Sequence, residues 1–231
     1  MKTEIHIVIV WEKGLDKLNH ILYDLRNNFQ IIEVVRVKWS ERYFSSNLSR
    51  FYGQNLSNKS FKERHCGKGP FTSIIIKDKN PLYANRKTSK GVNLVNSRLF
   101  DKKKIYRDWT GGGHKVHTSN DLSESSRDIW LLFNRTIKEY AANNEWDGKI
   151  KQYSEDILGA GGWKSFDSFF NFLNKSSEYV VLRNYQKIDS MNPICDDIDF
   201  LTNDGNFCYN ANAQKKHQSK SRSSYEIKVT N

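Results

Sequence analysis

Cysteine is scarce, long apolar runs are absent and acidic residues are outnumbered, and each deficit closes off a class of protein. The three cysteines, Cys66, Cys195 and Cys208, form an odd set without metal-ligand spacing. That argues against an extracellular disulfide scaffold and for reduced thiols in a cytoplasmic protein. The most apolar run, Ile5 to Trp11, is too short for a bilayer and lacks the flanks of a secretory signal, so no membrane association is expected. No internal repeat is evident. Against 26 Asp and Glu stand 37 Lys and Arg, a formal net charge of +11. Such a surplus attracts polyanions or phosphorylated small molecules, or simply solvates a Lys-rich surface. With 231 residues the chain can bury a sizeable core, and one domain plus a second or partial one is expected.

Apolar runs rich in Ile and Val predict strands at His6–Val10, Phe29–Trp39 and Phe71–Lys77. Between the first two, Leu18, Ile21, Leu22 and Leu25 recur at helical spacing. Residues 40–63 read as irregular with short helical stretches around Arg42 to Tyr52, and 86–110 as a long basic loop with short strands or helical turns. The order β-α-β, connection, β, excursion, β-α matches a split βαβ, ferredoxin-like α+β domain with an antiparallel sheet over residues 1–140. Residues 141–165, with Gly159-Ala160-Gly161-Gly162, read as a linker or surface helices. Residues 166–231 read as a smaller, incomplete α/β region, with a helix near Phe166–Leu173 and strands at Tyr179–Arg183, Asp197–Leu201 and Ser224–Val229.

The most informative stretch runs from His114 to Phe133. His117 ends a predicted strand, Thr118 to Asp121 form a polar turn, and Ser119 or Asn120 is placed to cap the following helix. Leu122, Ile129, Leu132 and Phe133 mark its apolar face. A histidine at a strand end, beside helical N–H groups, faces a natural anion site. His114 is read as a second polar contact rather than a metal ligand, since the pair lacks cysteine or carboxylate partners.

Taken together, Val116-His117-Thr118-Ser119-Asn120 with Asp128 and Phe133 resembles nucleoside diphosphate kinase. Gly69-Pro70-Phe71 resembles that family's Gly-Pro strand entry, and Arg50-Phe51-Tyr52 its preceding aromatic segment. The resemblance spans Ile5 to Phe133 and implies a phosphohistidine at His117, steadied by Asp128. It further implies substrate contacts at Arg86, Arg107, His114, Ser119 and Tyr52, Mg2+ arriving with the nucleotide, and a homo-oligomer. The chain departs from the family pattern at Trp11, where a lysine is usual, at His114, where an asparagine is usual, and in a shorter, triple-glycine loop before His117.

In the second half, Tyr179-Val-Val-Leu-Arg-Asn-Tyr185 followed by Asp197-Ile-Asp199 resembles a nucleotidyltransferase core. Alternate strand residues share a face, so Asp197 and Asp199 are candidate metal ligands, with Glu226 as a third from a neighbouring strand. The glycine-serine signature that usually precedes those carboxylates is missing.

The expected function is an intracellular phosphotransferase acting on a nucleotide or phosphorylated metabolite through His117. A metal-dependent nucleotidyltransferase using the C-terminal carboxylates and a non-catalytic nucleotide-binding protein stand as alternatives. Nucleic acid is a further partner class, suggested by Lys102-Lys103-Lys104 and by Lys215 to Arg222 but unsupported by any recognition motif.

Overall fold

Strand β1 (Glu4–Val10) is buried along its whole length, which requires cover on both of its faces. Side chains alternate across a strand, so Val8 and Val10 turn to one layer and Ile7 and Ile9 to the other. A 3-10 helix (Glu12–Lys17) leads into α1 (Leu18–Asn28), whose Leu18, Ile21, Leu22 and Leu25 pack on Val8 and Val10. The chain returns through β2 (Gln30–Val37), followed by α2 (Phe44–Tyr52) and α3 (Phe61–Cys66). Then come β3 (Phe71–Asp78), a hairpin of β4 (Tyr83–Thr88) and β5 (Gly91–Asn96), and α4 (Ser97–Trp109). Strand β6 (Val116–Thr118), α5 (Leu122–Phe133), α6 (Ile137–Ala141) and β7 (Ile150–Tyr153) follow.

The computed structural model describes residues 3–89, 91–142, 145–183, 198–218 and 223–229. The chain divides into two units, one of Met1–Ser45 with Leu56–Asp156, the other of Ser46–Asn55 with Ile157–Asn231. In the first, a five-stranded sheet has the order β6-β1-β3-β2-β7. The pairs β6–β1, β1–β3 and β3–β2 are antiparallel, and β3 lies between β1 and β2. This is the split βαβ arrangement of a ferredoxin-like α+β fold. One side of the sheet buries Val8, Val10, Val34, Ile74 and Ile76 against α1 and against Leu99 and Tyr106 of α4. Helix α5 covers β1 on the other side, where its Ser125 hydroxyl donates to the Ile5 carbonyl at 2.9 Å.

Two local expectations are corrected here. The segment read as a long loop contains the 13-residue helix α4, started by Asn96, whose side chain accepts from Leu99 N–H. Its apolar positions, Leu99, Phe100 and Tyr106, are interrupted by three consecutive lysines, which masks the helical period. The sheet also extends past residue 140. Strand β7 joins β2 in parallel, pairing Val34 with Ile150 through Val37 with Tyr153. Four mostly exposed residues give no periodicity to detect, so only the pairing reveals the strand.

The second unit holds α7 (Phe166–Ser176), a hairpin of β8 (Val180–Arg183) and β9 (Asp199–Leu201), α8 (Phe207–Asn210), and a ribbon of β10 (Gln214–Gln218) and β11 (Ser223–Glu226). Its core gathers Trp163, Phe169 and Phe172. Arg50 is buried there, its guanidinium donating to the carbonyls of Tyr209 at 3.0 Å and Asn210 at 2.9 Å. The glycine run read as a linker is instead a tight turn. Gly159 has φ of +81°, and a Cβ there would lie 2.7 Å from the Trp163 ring.

Candidate active site

Strand β6 pairs with β1 so that His117 lies opposite Ile9, which puts the imidazole on the sheet face covered by α5. The phase of α5 is set by its cap. Asp121 accepts from the Glu124 N–H at 2.8 Å, and the Glu124 carboxylate reaches back to the Asn120 N–H at 2.6 Å. The cap is therefore Asp121, and the expectation of Ser119 or Asn120 is corrected by one or two positions. One turn on from Glu124, Asp128 meets the strand: its Oδ2 lies 2.7 Å from His117 Nε2. His117 is 6% exposed and Asp128 1%.

Cations surround this pair. Lys103, on α4, is 8% exposed and donates to Asn120 Oδ1 at 2.6 Å and to the Thr118 carbonyl at 3.4 Å. Arg107, one turn further, donates from Nε to the Val116 carbonyl at 2.9 Å. Arg127 contacts Asp128 Oδ1 at 3.3 Å. Burial is the largest influence on every titratable group at the centre. It holds the His117 imidazole well below the ordinary histidine range, helped by Lys103, Arg107 and Lys62 and opposed by Glu124. It raises Asp128 above the usual carboxylate range, with Arg127 and Lys103 pulling the other way. Glu124 is raised by burial and by the nearby Asp128 charge. Lys103 is lowered to about 8, again by burial first. At neutral pH the imidazole is thus uncharged, the state in which a ring nitrogen can act as a nucleophile.

Beside the dyad lies a second group of rings. His114 precedes β6 in the turn after Gly111, Gly112 and Gly113, whose φ values are +78°, +84° and +79°. It sits outside the strand, two residues before its start. Its backbone N–H donates to His65 Nδ1 at 3.3 Å, and the two imidazole centroids are 5.9 Å apart. Burial, then Arg107, Lys62 and His65, lower the His114 ring to about 4. Phe61 stands 4.0 Å from the His65 ring and 6.2 Å from that of His114, with 60% of its surface exposed.

The other predicted site residues are placed as follows. Ser119 is fully buried, its hydroxyl 3.0 Å from His6 Nδ1 and accepting from the Ile7 N–H at 3.3 Å, so it holds β1 rather than facing solvent. Arg86, on β4, makes a two-point pair with Asp101 of α4 at 3.1 and 2.9 Å. The guanidinium expected to bind phosphate is engaged within that hairpin–helix pair. Tyr52 belongs to the second unit, with its ring 5.3 Å from that of Phe51. Asp199 pairs with Arg183 across β8–β9, and Glu226 with Lys216 across β10–β11. These two strands belong to separate two-stranded sheets, so the neighbouring-strand relationship expected of a shared metal site is absent, and Asp197 lies outside the described residues. Sequence reasoning missed Lys103, Glu124, Lys62, His65 and Phe61. The only advance signal was the spacing of Lys103 and Arg107, four apart on one helix face.

Among the described residues, His117, Glu124 and Asp128 form the only group of three metal-ligating side chains whose donor atoms fall within 4.8 Å of one another. The donor types suit a divalent ion, but the charges do not. Lys103 and Arg127 already stand beside the two carboxyl groups, and the carboxyl oxygens are engaged, Asp128 Oδ2 by His117, Oδ1 by Arg127 and Glu124 Oε2 by the Asn120 N–H. A resident metal does not fit this cluster.

No protein-family model and no curated protein matches the chain. Among solved structures, an orthorhombic crystal form of the Aquifex aeolicus nucleoside diphosphate kinase is similar at 16% identity and a TM-score of 0.39, over 57% of this chain and 96% of that one. A nucleoside diphosphate kinase family protein from Babesia bovis is similar at 14% identity and a TM-score of 0.35, over 62% of this chain and 94% of that one. Likeness at this level says nothing about chemistry.

Proposed function

We propose that this chain is a phosphotransferase acting on a nucleotide or another phosphorylated metabolite, with His117 as the transient phosphoryl carrier. The observation that supports it is the 2.7 Å contact between His117 Nε2 and Asp128, set among Lys103 and Arg107. With Asp128 accepting the Nε2 proton, the lone pair resides on Nδ1. That nitrogen attacks the terminal phosphorus, an N–P bond forms, and the P–O bond breaks with its electron pair leaving on the released phosphate oxygen. An acceptor oxygen then takes the phosphoryl group and returns the imidazole to its starting form. Asp128 stabilises the positive charge that develops on the ring, and the Lys103 and Arg107 charges offset those on the transferring group. Mg2+ would enter with the nucleotide's phosphates rather than in a protein cage. The exposed Phe61 ring beside His65 and His114 supports a ligand with an aromatic base.

The test is incubation with γ-labelled ATP or GTP. Acid-labile, base-stable label is expected on His117 and is expected to vanish in His117→Asn. Its complete absence with either donor would sink the reading.

A second reading, a non-catalytic nucleotide-binding protein, is favoured by the burial of His117, since a phosphate can meet the ring only after the surrounding rim moves. It predicts nucleotide-dependent thermal stabilisation without any transfer of label.

A further inference from the structure

We propose that Asn120 is a positioning residue: it holds the Lys103 ammonium beside His117 and so governs the positive charge that an incoming phosphoryl group meets there. The contacts stand by themselves, whereas their catalytic consequence rests on the phosphotransfer reading.

Strand β6 is the outer strand of its sheet, and its backbone groups alternate in direction. The Lys115 carbonyl accepts from the Trp11 N–H at 2.9 Å, and the Ser119 N–H donates to the Ile7 carbonyl at 3.1 Å, so this set turns toward β1. The Val116 and Thr118 carbonyls, one on each side of His117, therefore turn outward. Helix α4 covers them with two cations one turn apart. Arg107 Nε donates to the Val116 carbonyl at 2.9 Å, and Lys103 Nζ to that of Thr118 at 3.4 Å. The second contact is long, and a long contact fixes an ammonium on a flexible four-carbon stem poorly. Asn120 supplies the short one, 2.6 Å from Oδ1 to Nζ. An ammonium carries donors only, so the amide oxygen has to face it.

Asn120 also grips both helices through its backbone. Its carbonyl accepts at 2.6 Å from the N–H of Asn96, the residue that caps α4, and its N–H donates at 2.6 Å to the Glu124 carboxylate of α5. The turn after His117 thus ties together the start of α4, the tip of the Lys103 side chain and the first turn of α5. The charged and titratable groups facing Lys103 are Glu124 and Asp128 on α5, Arg107 on α4 and His117 on β6. The two carboxyl groups favour the ammonium, whereas Arg107 and, above all, burial oppose it and lower Lys103 to about 8. An oxygen acceptor at 2.6 Å favours the charged form, so the Asn120 amide helps to keep the proton on Lys103.

The experiment is the pH dependence of His117 labelling by γ-labelled ATP, with a heteronuclear NMR titration of Lys103 Cε in the full chain alongside. Asn120→Ala retains both backbone bonds and removes only the short acceptor. Its labelling near neutral pH is expected to fall about 10- to 100-fold. The alkaline loss of rate, which follows deprotonation of Lys103 in the parent, is expected to begin at lower pH in this variant. Asn120→Asp keeps the shape and puts a carboxylate against the ammonium. Its alkaline limb and its Cε titration are expected to move up together by about 1 pH unit or more. A merely structural role would lower unfolding free energy and leave both midpoints in place. The inference is overturned if the Lys103 midpoint is the same in the parent and in both variants. Absence of label in the parent, with the Cε midpoint still displaced in the variants, overturns the phosphotransfer reading instead and leaves Asn120 as the residue that holds Lys103.

Discussion

Asp128 and His117 are eleven residues apart in sequence, yet their side chains meet at 2.7 Å because the Asp121 cap sets the rotation of α5 over β6. If the carboxylate both orients the ring and steadies its developing charge, Asp128→Asn keeps the shape and loses the charge. We expect the rate of His117 labelling by γ-labelled nucleotide to fall by about 100-fold, in the range seen when one electrostatic stabiliser is removed. Single-turnover labelling measures this directly, and an unchanged rate would reduce Asp128 to a packing role.

Lys103 carries a second expectation, with a defined sign. Its folded-state pKa of about 8 lies below the ordinary lysine value of 10.5. The unfolded chain therefore holds more protons than the folded chain between those values, and stability rises with pH across that window. Below about 8 both states are protonated and the penalty for burying the charge is fully present. Urea unfolding of Lys103→Met at a series of alkaline pH values is expected to lack this rise, while phosphohistidine formation falls.

Ser119 offers a way to separate structure from binding. Its hydroxyl partners the buried His6 Nδ1 at 3.0 Å, and Ser119→Ala leaves that ring nitrogen without this partner. We expect a loss of about 1–3 kcal/mol in unfolding free energy with little change in nucleotide affinity. Lower affinity at undiminished stability would instead restore Ser119 as a ligand contact.

Gly112 and Gly113 adopt nearly the same left-handed conformation but have different surroundings. A Cβ at Gly113 would fall 2.2 Å from His65 Nδ1, whereas one at Gly112 would meet nothing within 4 Å. Gly112→Ala is expected to show only the backbone penalty, about 1–2 kcal/mol, and Gly113→Ala a larger loss. Thermal unfolding of the two variants side by side separates conformational strain from displacement of the His65 ring, and equal losses would show that His65 yields without cost.

Much of the first unit's core was legible before any coordinates because its signals are local. The apolar, β-branched runs of β1, β2 and β3 and the i, i+3, i+4, i+7 pattern of α1 are carried by neighbouring residues along one strand or helix. The strand end and polar turn marked His117 locally, whereas Asp128 was singled out only by the family resemblance. Tertiary structure alone decided which cations approach the imidazole. Arg86 is held by Asp101, and Lys103 reaches the turn after β6, because α4 lies beside that edge strand. It also buried Ser119 against His6, a partner 113 residues away, and added β7 to the sheet. These outcomes depend on which distant surfaces come together, and no pattern along a single segment records that.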